Sequence, residues 1–196
     1  MKDFVIKPDT KSEYGLFLVR NISNFNLFFI SSIFEQIYKK NILISFERLF
    51  KGGEGALSIF GPKSIISKYK DLNLLELEDY ARLDLNHTSI FEVNLRVTKG
   101  LKESLPKLLN DERIWIQLVA KGDKGFSSQI RVIIYSVDRL KQLTEEFHTH
   151  FKEKIVKLPK PYSKEQLFEF YKSRSFIKGD TQKIKAEDVL NLSLFL

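Results

Sequence analysis

The chain has no cysteine, and only one methionine and one tryptophan among its 196 residues. Missing thiols exclude a disulfide framework and any thiolate-ligated metal, and they suit a cytosolic setting. Long apolar runs are missing too. The stretch NISNFNLFFISSIF, Asn21 to Phe34, is uncharged but covers only 14 residues and contains three asparagines and three serines. A bilayer-spanning helix needs ~20 predominantly apolar residues, so this stretch reads as part of a buried helix and no direct membrane span is expected. The start, Met1-Lys2-Asp3-Phe4, carries an acid and leads into no apolar signal-peptide core, which argues against secretion.

What is present suffices for one sizeable core, or one core plus a small appendage: 43% of residues are hydrophobic and 13% aromatic. The formal charge of +7, from 32 basic and 25 acidic side chains, favours a polyanion or an anionic surface as neighbour, although the acids dilute that signal.

The clearest local pattern is Glu112 to Val137, ERIWIQLVAKGDKGFSSQIRVIIYSV. Ile114, Ile116, Leu118 and Ala120 share one face of a first strand, and Ile130, Val132 and Ile134 one face of a second, which predicts a β-hairpin at the centre of a core. Trp115, Gln117, Val119, Ile133 and Tyr135 make up its other face. That face is too apolar to be solvated, so a covering helix or a partner chain is expected on it, with Trp115, Gln117, Ile133 and Tyr135 as candidate partner-binding residues.

In chain order, Phe4 to Pro8 reads as extended. A helix follows, capped by Asn24, with Leu27, Ile30, Ile33, Phe34 and Ile37 at helical spacing up to Lys39 and Lys40. Asn41 to Phe50 alternates as a strand, Lys51 to Gly55 supplies a hairpin turn, and Ala56 to Phe60 returns. Pro62 suits the first position of a short helix through Tyr69, and Leu72 to Asp79 reads as a further strand. Thr88 to Thr98 is the next strand, Phe91, Val93, Leu95 and Val97 inward and Glu92, Asn94 and Arg96 outward. A distorted helix is expected over Leu101 to Leu109, interrupted by Pro106. After the central hairpin, a long helix from Asp138 carries a stripe of Leu140, Leu143, Phe147, Phe151 and Ile155.

These elements predict an α+β fold, a mixed, mainly antiparallel sheet packed against helices, over residues 1–156. Residues 157–196 read as a proline-containing strap and a small helical appendage. Within it Ser163 and Gln166 form a capping box for a helix through about Lys172, with Leu167, Phe168 and Tyr171 as its apolar side. Ser173 to Lys185 reads as a loop and Ala186 to Leu192 as one or two helical turns. The apolar ending at Leu196 suggests a chain cut from something longer, or a docked tail.

No constellation of catalytic residues survives inspection. Gly55 to Ser64 resembles a phosphate-binding loop, but five residues separate its glycines and Pro62 removes a backbone N–H that a phosphate would use. His148 and His150 point about 200° apart on a helix, so they do not share a metal, and His87 lies in a loop beside Asp84. Glu76, Glu78 and Asp79, with Asp84, form the one acidic cluster; a solvated strand face is the far commoner cause of such alternating acids, and a catalytic pocket would be lined by Glu76, Glu78 and Asp84. No serine sits in a nucleophile elbow. No metal or cofactor is expected. Lys152, Lys154, Lys157, Lys160 and Lys164 form a basic strip, with Tyr162 interleaved, that could lie along nucleic-acid phosphates, although a solvated helix end and linker is the commoner cause of such a strip.

The run ISFERLFKGGEGALSIFGPKSIISKY, then LLELEDY, NDERIWIQLVA, QIRVIIYSV and SRSF with KAEDVLNLSLFL resembles the region that precedes the motor in conjugative coupling proteins and related type IV secretion ATPases of the FtsK and HerA superfamily. Ser45, Phe46 and Glu47, then Pro62 and Lys63, then Glu112 and Gln117, and the acidic leucine-rich Glu187 to Leu196 carry the likeness. It implies a non-catalytic front domain that assembles the motor ring or docks it onto secretion and DNA-processing partners. The motor's Walker motifs would follow Leu196, and the domain would work in the cytoplasm, at the inner face of the cell membrane through partners. The chain departs from many coupling proteins in having no transmembrane helices before Phe4. A free-standing, basic nucleic-acid-binding protein of a plasmid or phage is the alternative, and a stand-alone enzyme a distant third.

Overall fold

In the structure, a computed structural model, residues 13–78, 84–93, 105–122, 126–151, 161–177 and 181–193 are described. Eight strands form one sheet: β1 (Tyr14–Leu18), β2 (Leu43–Lys51), β3 (Glu54–Pro62), β4 (Leu75–Leu77), β5 (Thr88–Val93), β6 (Arg113–Gly122), β7 (Phe126–Tyr135) and the two-residue β8 (Gln182–Lys183). Their order across the sheet is β4-β1-β3-β2-β6-β7-β5, with β8 added beside β7, and every described pairing is antiparallel. Among the described residues, the helices are α1 (Leu27–Lys40), α2 (Lys63–Ile66), α3 (Leu140–Phe151), α4 (Lys164–Ser173) and α5 (Ala186–Ser193). The fold is α+β, an antiparallel sheet with helices packed on it. Among the described residues, no helix is long and apolar enough to cross a membrane.

Period-2 alternation separates the faces. Ile44 and Phe46 of β2, Leu57 and Ile59 of β3, Ile114, Ile116, Leu118 and Ala120 of β6, and Ile130, Val132 and Ile134 of β7 are buried in the main core. Phe29, Ile30, Ile33, Phe34 and Ile37 of α1, Leu143 and Phe147 of α3, and Val189 of α5 close over them. The central hairpin runs in continuous register from Arg113↔Tyr135 to Gly122↔Phe126, as its alternation predicts.

Local chemistry sets the boundaries, and several differ from expectation. Asn26, not Asn24, caps α1: its side chain accepts from Phe29 N at 3.0 Å, while Asn24 donates from a preceding 3₁₀ turn to the Asp71 carbonyl at 2.9 Å. Gly52, at φ +56°, makes the β2–β3 turn, a conformation that costs a glycine little. Pro62 precedes α2 as its N-cap rather than opening it, and α2 ends at Ile66. The strand expected over Leu72 to Asp79 shrinks to β4, because Leu72 ends a 3₁₀ turn and Asn73 turns left-handed at φ +47°. Residues 105–109 are not helical.

Residues 161–193 are not an appendage. α4 lies on the sheet's second face, β8 pairs Gln182 and Lys183 with Ser128 and Ser127, and Ile184 and Val189 enter the main core beside α1. Their few apolar residues are spent on three different contacts, and this hides the integration from a linear reading. The segments Phe4 to Pro8, Leu95 to Thr98 and Leu101 to Ser104, together with Ile155 and the side chain of Phe151, lie outside the described residues.

Candidate functional site

The sheet's second face carries a transverse polar row. Antiparallel register sets Ser58 opposite Glu47, Glu47 opposite Gln117, Gln117 opposite Arg131, and Arg131 opposite Glu92. Five strands thus each place one polar side chain on the same line, and all five are buried. Such a row is costly to desolvate unless its members satisfy one another.

Most of the satisfaction comes from the sheet and from α4 with the residues after it, the buried Arg131 Nε being left without a hydrogen-bond partner among the described residues. Ser45 Oγ donates to Glu47 Oε1 at 2.6 Å, and Gln117 Nε2 donates to the same oxygen at 3.2 Å. Arg174, at φ +53°, ends α4 in the left-handed region and sends Nε to Glu47 Oε1 at 2.9 Å, its guanidinium lying 4.0 Å from the centre of the Phe60 ring. Gln117 also donates to the Tyr171 carbonyl at 3.0 Å. Arg131 donates to the carbonyls of Phe170, at 2.8 Å, and Ser175. Gln129 pairs with Ile177 twice, donating to its carbonyl at 2.7 Å and accepting from its N–H at 2.9 Å.

The sheet thereby reads main-chain groups at the C-terminal end of a helix, where carbonyls lack intrahelical partners. Burial pulls the Arg131 guanidinium down to about 10, with the nearby Glu92 carboxylate and Tyr171 working against the shift; it stays charged at neutral pH. α4 is held in place at its start by a complete capping box, Gln166 N donating to Ser163 Oγ at 3.2 Å and Ser163 N to Gln166 Oε1 at 3.0 Å. That box is the one legible in the sequence.

Under α4, Phe168 and Tyr171 pack with Leu49, Trp115 and Ile133 in a second, smaller apolar cluster. The cover expected over the hairpin's outer face is thus a helix of the chain itself. Trp115, Gln117 and Ile133 are sealed beneath it and present no surface to a partner while α4 is docked. Tyr135 stays half-buried, with the Arg113 guanidinium 5.3 Å from its ring centre. Of the basic strip, Lys164 donates to the Leu85 carbonyl at 2.8 Å, whereas Lys152, Lys154, Lys157 and Lys160 lie outside the described residues.

The other sequence candidates are dispersed. Glu76 on β4 pairs with Lys63 at 2.7 Å, and Asp84 caps the turn before β5 at the opposite end of the sheet, so Glu76, Glu78 and Asp84 share no pocket. Asp84 lies 3.7 Å from His87 Nε2, and His148 sets its ring edge-on to Phe91. Among the described residues, no group of three acids or histidines is placed to hold a metal. The phosphate-loop look-alike is β3 running into α2, with Gly61 packed against Ile66.

On the main-core side, a cleft of about 400 Å³ opens beside Arg48, Phe50, the Gly52–Gly55 turn and Leu105 to Leu108. Burial brings the Arg48 guanidinium to about 10. The outward position expected for Glu92 is correct as to face but not as to solvent, since α4 and Arg131 enclose it. Nothing local in the sequence marks Glu47, Glu92, Gln129, Arg131 and Arg174 as a group. The available signal was charge in phase with apolar neighbours, Glu47 inside SFERLF and Arg131 inside QIRVIIY. In comparison with known proteins, the chain matches no family model and no curated protein.

Proposed function

We propose that the chain is a non-catalytic assembly and docking domain of a DNA-transfer ATPase of the type IV secretion kind, working through protein–protein contacts. The observation that supports this reading is the first turn of α1. Phe28 is 86% exposed and Leu27 beside it 41%, while Phe29, Ile30 and Ile33 on the opposite side anchor the helix in the main core. A large aromatic held outward on a rigid helix loses little conformational entropy on binding and suits the centre of a contact patch. The net charge of +7 suits an acidic partner surface.

The reading is tested by the size of the native polypeptide in its source cell, using an antibody raised against this chain. A band far above 23.0 kDa, with Walker motifs encoded downstream, is the expected result. A band at that mass overturns the front-domain reading and brings forward the free-standing nucleic-acid-binding one, for which affinity should fall steeply with salt.

A further inference from the structure

The two faces of the sheet are closed by different chemistry. The main core is closed mainly by apolar side chains, with Arg48 and Ser128 buried at its margin. The other face is closed by a small cluster, Leu49, Trp115, Ile133, Phe168 and Tyr171, and by buried charges on Glu47, Glu92, Arg131 and Arg174. Lifting α4 returns those charges to water, and solvation offsets much of what the ion pairs contribute when buried. Beyond the small cluster, residues 163–177 give up only the burial of Ile177, so their release costs less than that of a segment anchored in the main core.

What the face recognises can be read from its present occupant. Arg131, Gln117 and Gln129 take the carbonyls of Phe170, Tyr171, Ser175 and Ile177, which any sequence would supply. Side-chain selection falls to three residues at even spacing: Phe168 and Tyr171 in the apolar cluster, and Arg174 on Glu47 and Phe60.

We propose that this face is a recognition surface for a helix C-terminus carrying two aromatics three residues apart and an arginine three residues further on. The chain's own segment 163–177 occupies it in cis, and a partner helix of the same pattern displaces that segment. The choice of a protein as the displacing ligand rests on the docking reading above; the opening of the segment does not.

The probe is a fluorescein-labelled synthetic peptide of residues 161–177, titrated onto the full chain and read by anisotropy. Saturable binding to the unaltered chain is expected, and binding about tenfold tighter or more to chains carrying Arg174→Ala or Phe168→Ala, because weakening the cis occupant raises the fraction of open face. A peptide carrying Arg174→Ala should bind at least about tenfold more weakly than the native peptide. The proposal is overturned if neither loosened chain binds better than the unaltered one, or if the altered peptide binds as well as the native.

Should the Arg174 variant fail to fold, the Phe168 variant and hydrogen exchange carry the test. In the unaltered chain, amides of α4 and of Ile177 should exchange measurably faster than those of β6 and β7. Exchange of all of them only through global unfolding would overturn the proposal. The size of the native polypeptide decides the docking reading separately.

Discussion

Glu47 and Arg174 stand 127 positions apart in the chain and 2.9 Å apart in the fold, both sealed from water. Removing one member leaves the other buried without its counter-charge, at a cost of about 3–5 kcal/mol. Replacing both by apolar residues of similar size removes the desolvation cost together with the attraction. Glu47→Gln and Arg174→Met should therefore each lower the urea midpoint substantially, and the double variant Glu47→Leu/Arg174→Met should be more stable than either. A double variant as unstable as the sum of the singles would show that the two side chains do not act as a pair.

A second clip is expected to be pH-dependent. Glu112 accepts from Arg139 Nε at 2.8 Å, from Leu109 N at 2.7 Å and from Ser136 Oγ at 3.1 Å, tying the approach to β6 to the turn after β7. The Arg139 hydrogen bond, followed by those from Leu109 and Ser136, outweighs burial and holds the Glu112 carboxyl below its ordinary value of 4.5. A depressed acid stabilises the fold above its unfolded pKa, and that contribution is lost as pH falls through its folded pKa. The stability gap between the unaltered chain and Glu112→Gln should be constant above about pH 5.5 and shrink at more acid pH. Denaturant titrations between pH 3 and 7 check this; a gap that widens in acid would contradict the assignment.

Gly122 ends β6 against the end of α1, where an added Cβ would come 2.8 Å from the Ile37 carbonyl oxygen and 3.3 Å from Tyr38 Cα. Both atoms belong to backbone and have little room to yield. Gly122→Ala should cost about 1–3 kcal/mol, a fall in Tm of about 2–4 °C per kcal/mol for a chain of this size. A melt unchanged within a degree would mean that the α1–β6 contact relaxes freely.

The legible parts of this fold were those in which one residue's environment repeats along its own element. The β6–β7 hairpin declares itself by alternation, and α4 by Ser163 and Gln166, three residues apart. Glu47, Gln117 and Arg131 belong to three strands, and nothing local records that register aligns them or that Arg174 reaches back to them. For Glu92 alternation gives the face but not the medium, because it separates two faces without saying what covers each. The integration of the tail is hidden for a related reason: Phe168, Val189 and Gln182 serve opposite faces and an edge of one sheet, which resembles a loose appendage when read linearly.

The last prediction concerns Phe28, whose exposure separates stability from binding. A side chain 86% exposed contributes little to folding, so Phe28→Asp should leave the urea midpoint within the equivalent of about 0.5 kcal/mol. An aromatic anchor at the centre of an interface is worth about 2 kcal/mol or more, a loss of roughly 30-fold in affinity or greater. On the docking reading proposed above, the measurement is binding of full-length chain, with and without the substitution, to the motor domain or channel component that this reading calls for, beside a melt of each protein. Equal stability with lost binding supports docking through α1. Equal stability with equal binding would remove Phe28 from the interface, and lost stability would mean that Phe28 packs within the fold.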